Sequence, residues 1–156
     1  HIDDIDAQAP QTSLGMTAFH LDAGYKPHWE FGFGLSYTSF EYSDIAVSAD
    51  SIGIGDEIVV AATLTNTGDV EATEVAQLYV RDLVGNVTRP VRELKGFQRV
   101  TLTPGASSRV EFRLHTDDLA FYGRDNTLIV EPGDFHAWIG GSSEAGLQTA
   151  FSIVGD

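Results

Sequence analysis

The chain has 156 residues and a formal net charge of −14, from 23 acidic and 9 basic side chains; 42% of its residues are hydrophobic and none is cysteine. This length suits one domain or one domain with an extension, and the lack of cysteine excludes disulfides, thiolate metal sites and a cysteine nucleophile. Scarce lysine and arginine argue against nucleic-acid and anionic-membrane partners, no apolar run approaches the ~20 residues of a membrane span, and a start at His1 without a signal-peptide pattern reads as a mature fragment or one piece of something longer.

Residues 1–36 carry no sustained period of 2 or 3.6. Asp3, Asp4 and Asp6 form an acidic start, read as solvated, and Leu14, Met16, Phe19, Leu21, Tyr25 and Trp29 are too apolar for a free tail. The stretch reads as an irregular connector lying on another surface. Between His28 and Ser43, "HWEFGFGLSYTSFEYS" places six aromatic residues and two glycines in sixteen positions. Tyr37, Phe40 and Tyr42 are expected to open the first strand and enter the core.

From Tyr37 onward the period is 2. Ile58, Val60, Ala62 and Leu64 share one face of a strand. Ala76, Leu78 and Val80 alternate with outward Gln77, Tyr79 and Arg81, and Val110, Phe112 and Leu114 with outward Arg109, Glu111 and Arg113. Such alternation marks half-buried strands. "FQRVTL", "TLIVE", "DFHAWIG" and "QTAFSIV" supply four more, with "NTGD", "TPGAS" and "EPGD" as turns, the last two offering a preset φ at proline and a positive φ at glycine. In "TDDLAFY", Thr116 is placed as the cap of a single helical turn. Many short strands with regular turns predict an all-β fold, an immunoglobulin/fibronectin type III-like antiparallel β-sandwich over residues 37–156 behind the irregular connector of residues 1–36.

No catalytic constellation is legible. The acidic pairs read as structural: Asp117 and Asp118 sit at a helix start, where carboxylates meet the positive end of the dipole, and Glu131 and Asp134 flank a turn as exposed residues. His1, His20, His28, His115 and His136 share no metal-ligand spacing. His136 reads as a surface residue beside Trp138. There is no GxSxG, GxGxxG or phosphate-binding loop, so no metal or cofactor is expected. Asn86–Thr88 fits the glycosylation sequon, which has meaning only in a secreted eukaryotic chain.

"FGFGLSYTSFEYS", "AATLTNTGDVEATEVAQLYVRD", "VTRPVRELKGFQRVTLTPGASSRVEFRL" and "DLAFYGRDNTLIVEPGDFHAWIGGSS" follow in order over about residues 31–143. Together they resemble the C-terminal fibronectin type III-like domain of family 3 glycoside hydrolases of the β-glucosidase type. The resemblance implies a parent enzyme that hydrolyses terminal β-D-glucosyl residues with retention. Its nucleophile is an Asp on a TIM-barrel domain and its acid/base usually comes from an α/β sandwich domain, neither of which lies in these residues. The chain itself then carries no catalytic residue, and residues 1–36 become the connector and tail of the preceding α/β sandwich domain. A periplasmic or secreted setting is favoured only through this resemblance. Where the family has proline before its "FG", this chain has Glu30, which removes a rigid φ.

Under this reading Phe31, Gly32, Phe33 and Gly34 dock the sandwich onto the catalytic domains, the phenylalanines as plugs and the glycines as a sharp backbone turn. Trp29 and Glu30 are candidates for the rim of the sugar cleft. Arg81, Arg89, Arg92 and Lys95 place four of the nine basic residues in one loop. Arg89 and Arg92 are accordingly expected to dock on an acidic surface of the same polypeptide. A homo-oligomer contact is a further expected use. The rival from another class is a stand-alone carbohydrate-binding or adhesive module, which would show a planar row of exposed aromatics; a complete small enzyme is the third.

Overall fold

The structure, a computed structural model, describes residues 27–155. The chain divides into two units, His1–Glu30 and Phe31–Asp156. The acidic start, the apolar positions from Leu14 to Tyr25, and His1 and His20 lie outside the described residues.

The second unit is all-β. In chain order the strands are β1 (Phe40–Val47), β2 (Ser51–Gly53), β3 (Glu57–Asn66), β4 (Ala72–Asp82), β5 (Glu93–Leu102), β6 (Ser107–His115), β7 (Phe121–Tyr122), β8 (Leu128–Ile129), β9 (Gly133–Gly140) and β10 (Gln148–Val154). One sheet has the order β1-β3-β6, the other β2-β10-β9-β4-β5, and β7 and β8 form a small ribbon. The alternation along each strand drives the stacking. Ile58, Val60, Ala62, Leu64, Val110 and Leu114 on one sheet are at most 1% exposed, as are Ala76, Leu78, Ala137 and Ile139 on the other. Each large aliphatic side chain buried this way contributes about 1.5–3 kcal/mol relative to exposure.

The pairing is not wholly antiparallel. After β1 pairs antiparallel with β3, the chain crosses at residues 48–50 to the other sheet, where β2 runs parallel to β10. The crossing is tied at both ends: the Ser48 amide donates to the Val59 carbonyl and the Ser152 amide to the Asp50 carbonyl, each at 2.9 Å. A bulge before it, with Asp44 at φ 52°, bends β1 out of its first register.

Several local expectations need correction. The first strand begins at Phe40; Tyr37 is exposed and never reaches the core. Gly105 adopts φ 73° in the Pro104 turn as expected, whereas Gly133 has no positive φ and opens β9 opposite Ile153. "TLIVE" gives only the two residues of β8. The cap of the 3-10 turn Thr116–Leu119 is His115, whose Nδ1 accepts from the Asp117 amide while Asp118 accepts from the His115 amide. Thr116 is fully buried because its hydroxyl accepts from the Gly55 amide at 2.8 Å, which ties the β2–β3 turn to the end of β6. Glu131 is half-buried and accepts from the Asn86 amide at 3.0 Å, so it anchors the β4–β5 loop instead of decorating a turn.

Candidate functional site

The outer face of the five-stranded sheet departs most from the alternation. Gln77 and Tyr79 occupy the outward phase of β4, yet are 5% and 1% exposed. Both belong to a row of same-face cross-strand pairs: Tyr79 lies between Trp138 on β9 and Leu94 on β5, and Gln77 between Gly140 and Phe97. Across this row runs the strip Phe31–Ser36.

Hydrogen bonds hold the strip down. The Gln77 side-chain amide donates to the carbonyls of Gly32 at 3.0 Å and Gly141 at 2.7 Å. Its oxygen accepts from the Tyr79 hydroxyl at 2.6 Å, and that hydroxyl lies 3.4 Å from the Phe31 carbonyl. The same carbonyl accepts from the Ser143 amide at 2.9 Å. Burial pushes the Tyr79 phenol above the usual tyrosine range, which keeps it a neutral donor. Gly32 has φ 81°, and a Cβ there would stand 2.1 Å from Gln77 Oε1 and 2.7 Å from the Tyr79 hydroxyl. Only glycine suits both constraints.

With the backbone clamped, the side chains of the strip face outward. Phe31 is 68% exposed and Phe33 44%, beside exposed Leu35, Phe97 and Leu94. Phe31, Phe33, Leu35, Val75, Leu94 and Phe97 line a groove of about 360 Å³ on one side of the strip. On its other side, Phe33, Tyr42, Glu74 and Glu144 line a second groove of about 330 Å³. The Tyr42 hydroxyl donates to Glu74 at 3.3 Å; burial, then the Glu74 charge, raises its pKa far above the ordinary value. In the first unit, Trp29 is exposed and edge-on to His28 at 4.4 Å, and Glu30 is half-buried.

Arg89 and Arg92 are engaged within the sandwich. Arg89 pairs with Glu93 at 2.8 Å and stacks over Phe121 at 4.3 Å. Arg92 donates to the carbonyls of Ser143 at 2.5 Å and Ala145 at 2.9 Å, and stacks over Trp138 at 4.1 Å. Trp138 is thereby covered on an outward-facing position. Lys95 bridges Glu93 and the Asp118 carbonyl, both at 2.7 Å. These contacts brace the β4–β5 loop against the loop that follows β9, which in turn grips Phe31. His136 is half-buried, edge-on to Trp138 at 5.7 Å. Among the described residues no three His, Asp or Glu side chains gather as metal ligands.

Sequence reasoning placed Gln77 and Tyr79 on a solvated face and missed the clamp. The one sequence signal was a hydrogen-bonding pair, Gln and Tyr two apart, in mid-strand, where a purely solvated face would not need it.

Against known proteins, a family model described as "Fibronectin type III-like domain" matches residues 74–143. The chain is 39% identical over 153 residues to a putative β-xylosidase of Formosa agariphila, covering 90% of this chain and 20% of that protein. It is 33% identical over 145 residues to a periplasmic β-glucosidase of Salmonella typhimurium, covering 93% and 19% respectively. Among solved structures, a β-glucosidase from Erythrobacter marinus superposes with a TM-score of 0.83 at 36% identity, over 92% of this chain and 19% of that one. The chain therefore spans about a fifth of the length of the relatives it matches. Over residues 74–143 it is a fibronectin type III-like domain, and as a whole it resembles the matched fifth of these β-glucosidases and β-xylosidases.

Proposed function

We propose that the chain is the non-catalytic C-terminal domain of a β-glucosidase-type enzyme. The parent's other domains hydrolyse terminal β-D-glucosyl residues with retention, and the sandwich stabilises them. Residues 1–36 serve as connector and as the tail of the domain before it. The observation that carries this reading is the strip Phe31–Ser36: its backbone is clamped to the sheet at Phe31 and Gly32 while the Phe31 ring stays 68% and the Phe33 ring 44% exposed. A soluble domain rarely keeps a preformed apolar patch without a partner. The partner is the TIM-barrel and α/β sandwich domains of the same polypeptide, with Phe31 and Phe33 as plugs and Gly32 and Gly34 shaping the backbone between them. Arg89 and Arg92 contribute by bracing the neighbouring loop; a homo-oligomer contact on the same surface is a secondary use.

In the full-length enzyme, Phe31→Ala/Phe33→Ala is expected to lower the melting temperature by about 4–8 °C, since two buried rings are lost in a larger protein. In the isolated chain, which lacks the neighbouring domains, a clearly smaller shift is expected. Equal melting of both full-length proteins defeats the docking reading, and turnover of an aryl β-glucoside by the isolated chain defeats the non-catalytic one. Trp29 and Glu30 are assigned to the rim of the sugar cleft, because an indole, on which a sugar ring stacks, is followed directly by a carboxylate that accepts from a hydroxyl. Trp29→Ala is expected to raise KM for cello-oligosaccharides about threefold to tenfold, with little change in melting temperature, as for one lost stacking contact. An unmoved KM removes that assignment.

A further inference from the structure

A third cavity, of about 710 Å³, lies away from the clamped strip, walled by residues 81–91, at the end of β4 and in the β4–β5 loop, together with Arg124. Three of its walls are arginines, in a chain with nine basic residues against 23 acidic ones. In so acidic a molecule a basic side chain ordinarily finds a carboxylate nearby. Arg89 does, in Glu93. Arg81 and Arg124 are exposed and form no ion pair among the described residues. Arg124 uses only its Nε, on the Asn86 carbonyl at 2.9 Å, which leaves both terminal nitrogens as donors.

Among the described residues Asp82 is the one acid in the cavity wall, and it and two acids bonded to the wall or its neighbours are committed within the sandwich. Asp82 accepts from the Val84 amide at 3.1 Å, Glu131 from the Asn86 amide at 3.0 Å, and Glu93 is shared by Arg89 and Lys95. These carboxylates are thus turned to backbone amides or to Arg89 and Lys95, and the guanidinium groups of Arg81 and Arg124 are left over. A guanidinium offers a planar fork of N–H donors that matches a carboxylate in bidentate geometry.

We infer that this cavity is a carboxylate-binding socket, in which Arg81 and Arg124 grip an Asp or Glu side chain from an adjoining part of the same polypeptide. This inference rests on the docking reading above and adds a second, polar anchor to the apolar strip. The occupant follows from charge and length. The relatives extend well beyond the matched fifth, so a large part of such a polypeptide lies outside this chain. A second copy of a domain with net charge −14 would meet its own repulsion on approach. Under this inference the docking charge is carried by Arg81 and Arg124, while Arg89 and Arg92 are hydrogen-bonded and stacked within the sandwich.

The test is hydrogen–deuterium exchange on the full-length enzyme and on the isolated chain. Peptides covering residues 82–91 are expected to exchange about tenfold more slowly in the full-length protein. Arg81→Glu/Arg124→Glu is expected to abolish that protection while leaving the exchange of β3 and β9 intact, which shows that the sandwich is still folded. Arg81→Lys/Arg124→Lys, keeping charge but losing the fork, is expected to retain only part of it. Equal exchange of the loop in both proteins, or protection that survives charge reversal, overturns the socket. Protection that appears in the isolated chain as its concentration rises assigns the cavity to a second copy and overturns it too. Peptides covering residues 31–36 separate the two readings: protected there but not at 82–91, only the socket fails; protected at neither, the docking reading itself fails.

Discussion

Asn66→Ala is expected to destabilise the sandwich by about 3–5 kcal/mol, a large part of the roughly 5–15 kcal/mol that holds a domain folded. Asn66 ends β3, is fully buried and has its polar atoms fully partnered. Its Nδ2 donates to the carbonyls of Val70 at 2.8 Å and Leu102 at 2.9 Å. Its Oδ1 accepts from the Thr38 hydroxyl at 2.7 Å and from the Gly68 amide at 3.1 Å. One side chain thus joins the segment leading into β1, the β3–β4 turn and the end of β5, across both sheets. Alanine leaves two carbonyls and two donors facing a space that water enters poorly, and each deserted buried group costs about 1 kcal/mol or more.

Asn66→Asp sharpens the expectation. A carboxylate would oppose its charge to the Val70 and Leu102 carbonyls, where the native amide donates to both. Burial and those carbonyls favour the protonated acid, so its folded pKa lies above the unfolded value of about 3.9. By linkage, a group with a raised folded pKa is least harmful at low pH and loses stability as pH rises above the unfolded value. Urea titrations at pH 4 and pH 7 should therefore show the Asp variant weaker at pH 7 relative to the native chain. A native-like midpoint for Asn66→Ala, or no extra loss for Asp at pH 7, contradicts this account.

What the sequence made legible follows from distance along the chain. Val110, Phe112 and Leu114 alternate within seven residues, and that pattern needs no knowledge of what lies opposite. The sandwich, most of its strands and the Pro104–Gly105 turn were readable for this reason. Asn66 looked like part of an exposed "NTGD" turn because two of its partners, Thr38 and Leu102, are 28 and 36 positions away. Gln77 looked solvated because its cover at Gly32 is 45 positions upstream. A strand buried on both faces, with a polar cover on one, alternates like a half-exposed strand; period alone cannot separate them. Basic residues meet the same limit. Arg81, Arg89, Arg92 and Lys95 stand together in sequence, whereas Arg124, on the β7–β8 turn, joins Arg81 and Arg89 at one cavity only through the fold.

Gly32→Ala tests the clamp with a single methyl group, and its expected cost is about 2–4 kcal/mol of the strip's attachment. Two effects add. An alanine held at φ 81° is strained by about 1–2 kcal/mol, since its Cβ crowds the carbonyl in the left-handed region. Its Cβ would also lie 2.1 Å from Gln77 Oε1. A glutamine end can normally swing away, but this one is pinned by the Gly32 and Gly141 carbonyls and by Tyr79. Relief therefore requires either losing those hydrogen bonds or lifting the strip. In both cases the Ser143 amide loses the Phe31 carbonyl, and its hydrogen exchange is expected to accelerate by 10-fold to 1,000-fold while β3 and β6 stay protected. Gln77→Leu removes the clamp from the other side without touching the backbone, and should speed Ser143 in the same way. If the two variants leave Ser143 exchange as it is, the strip is held by something other than this clamp. If they release the strip and the full-length enzyme melts as before, the exposed phenylalanines are not what joins the sandwich to its neighbours.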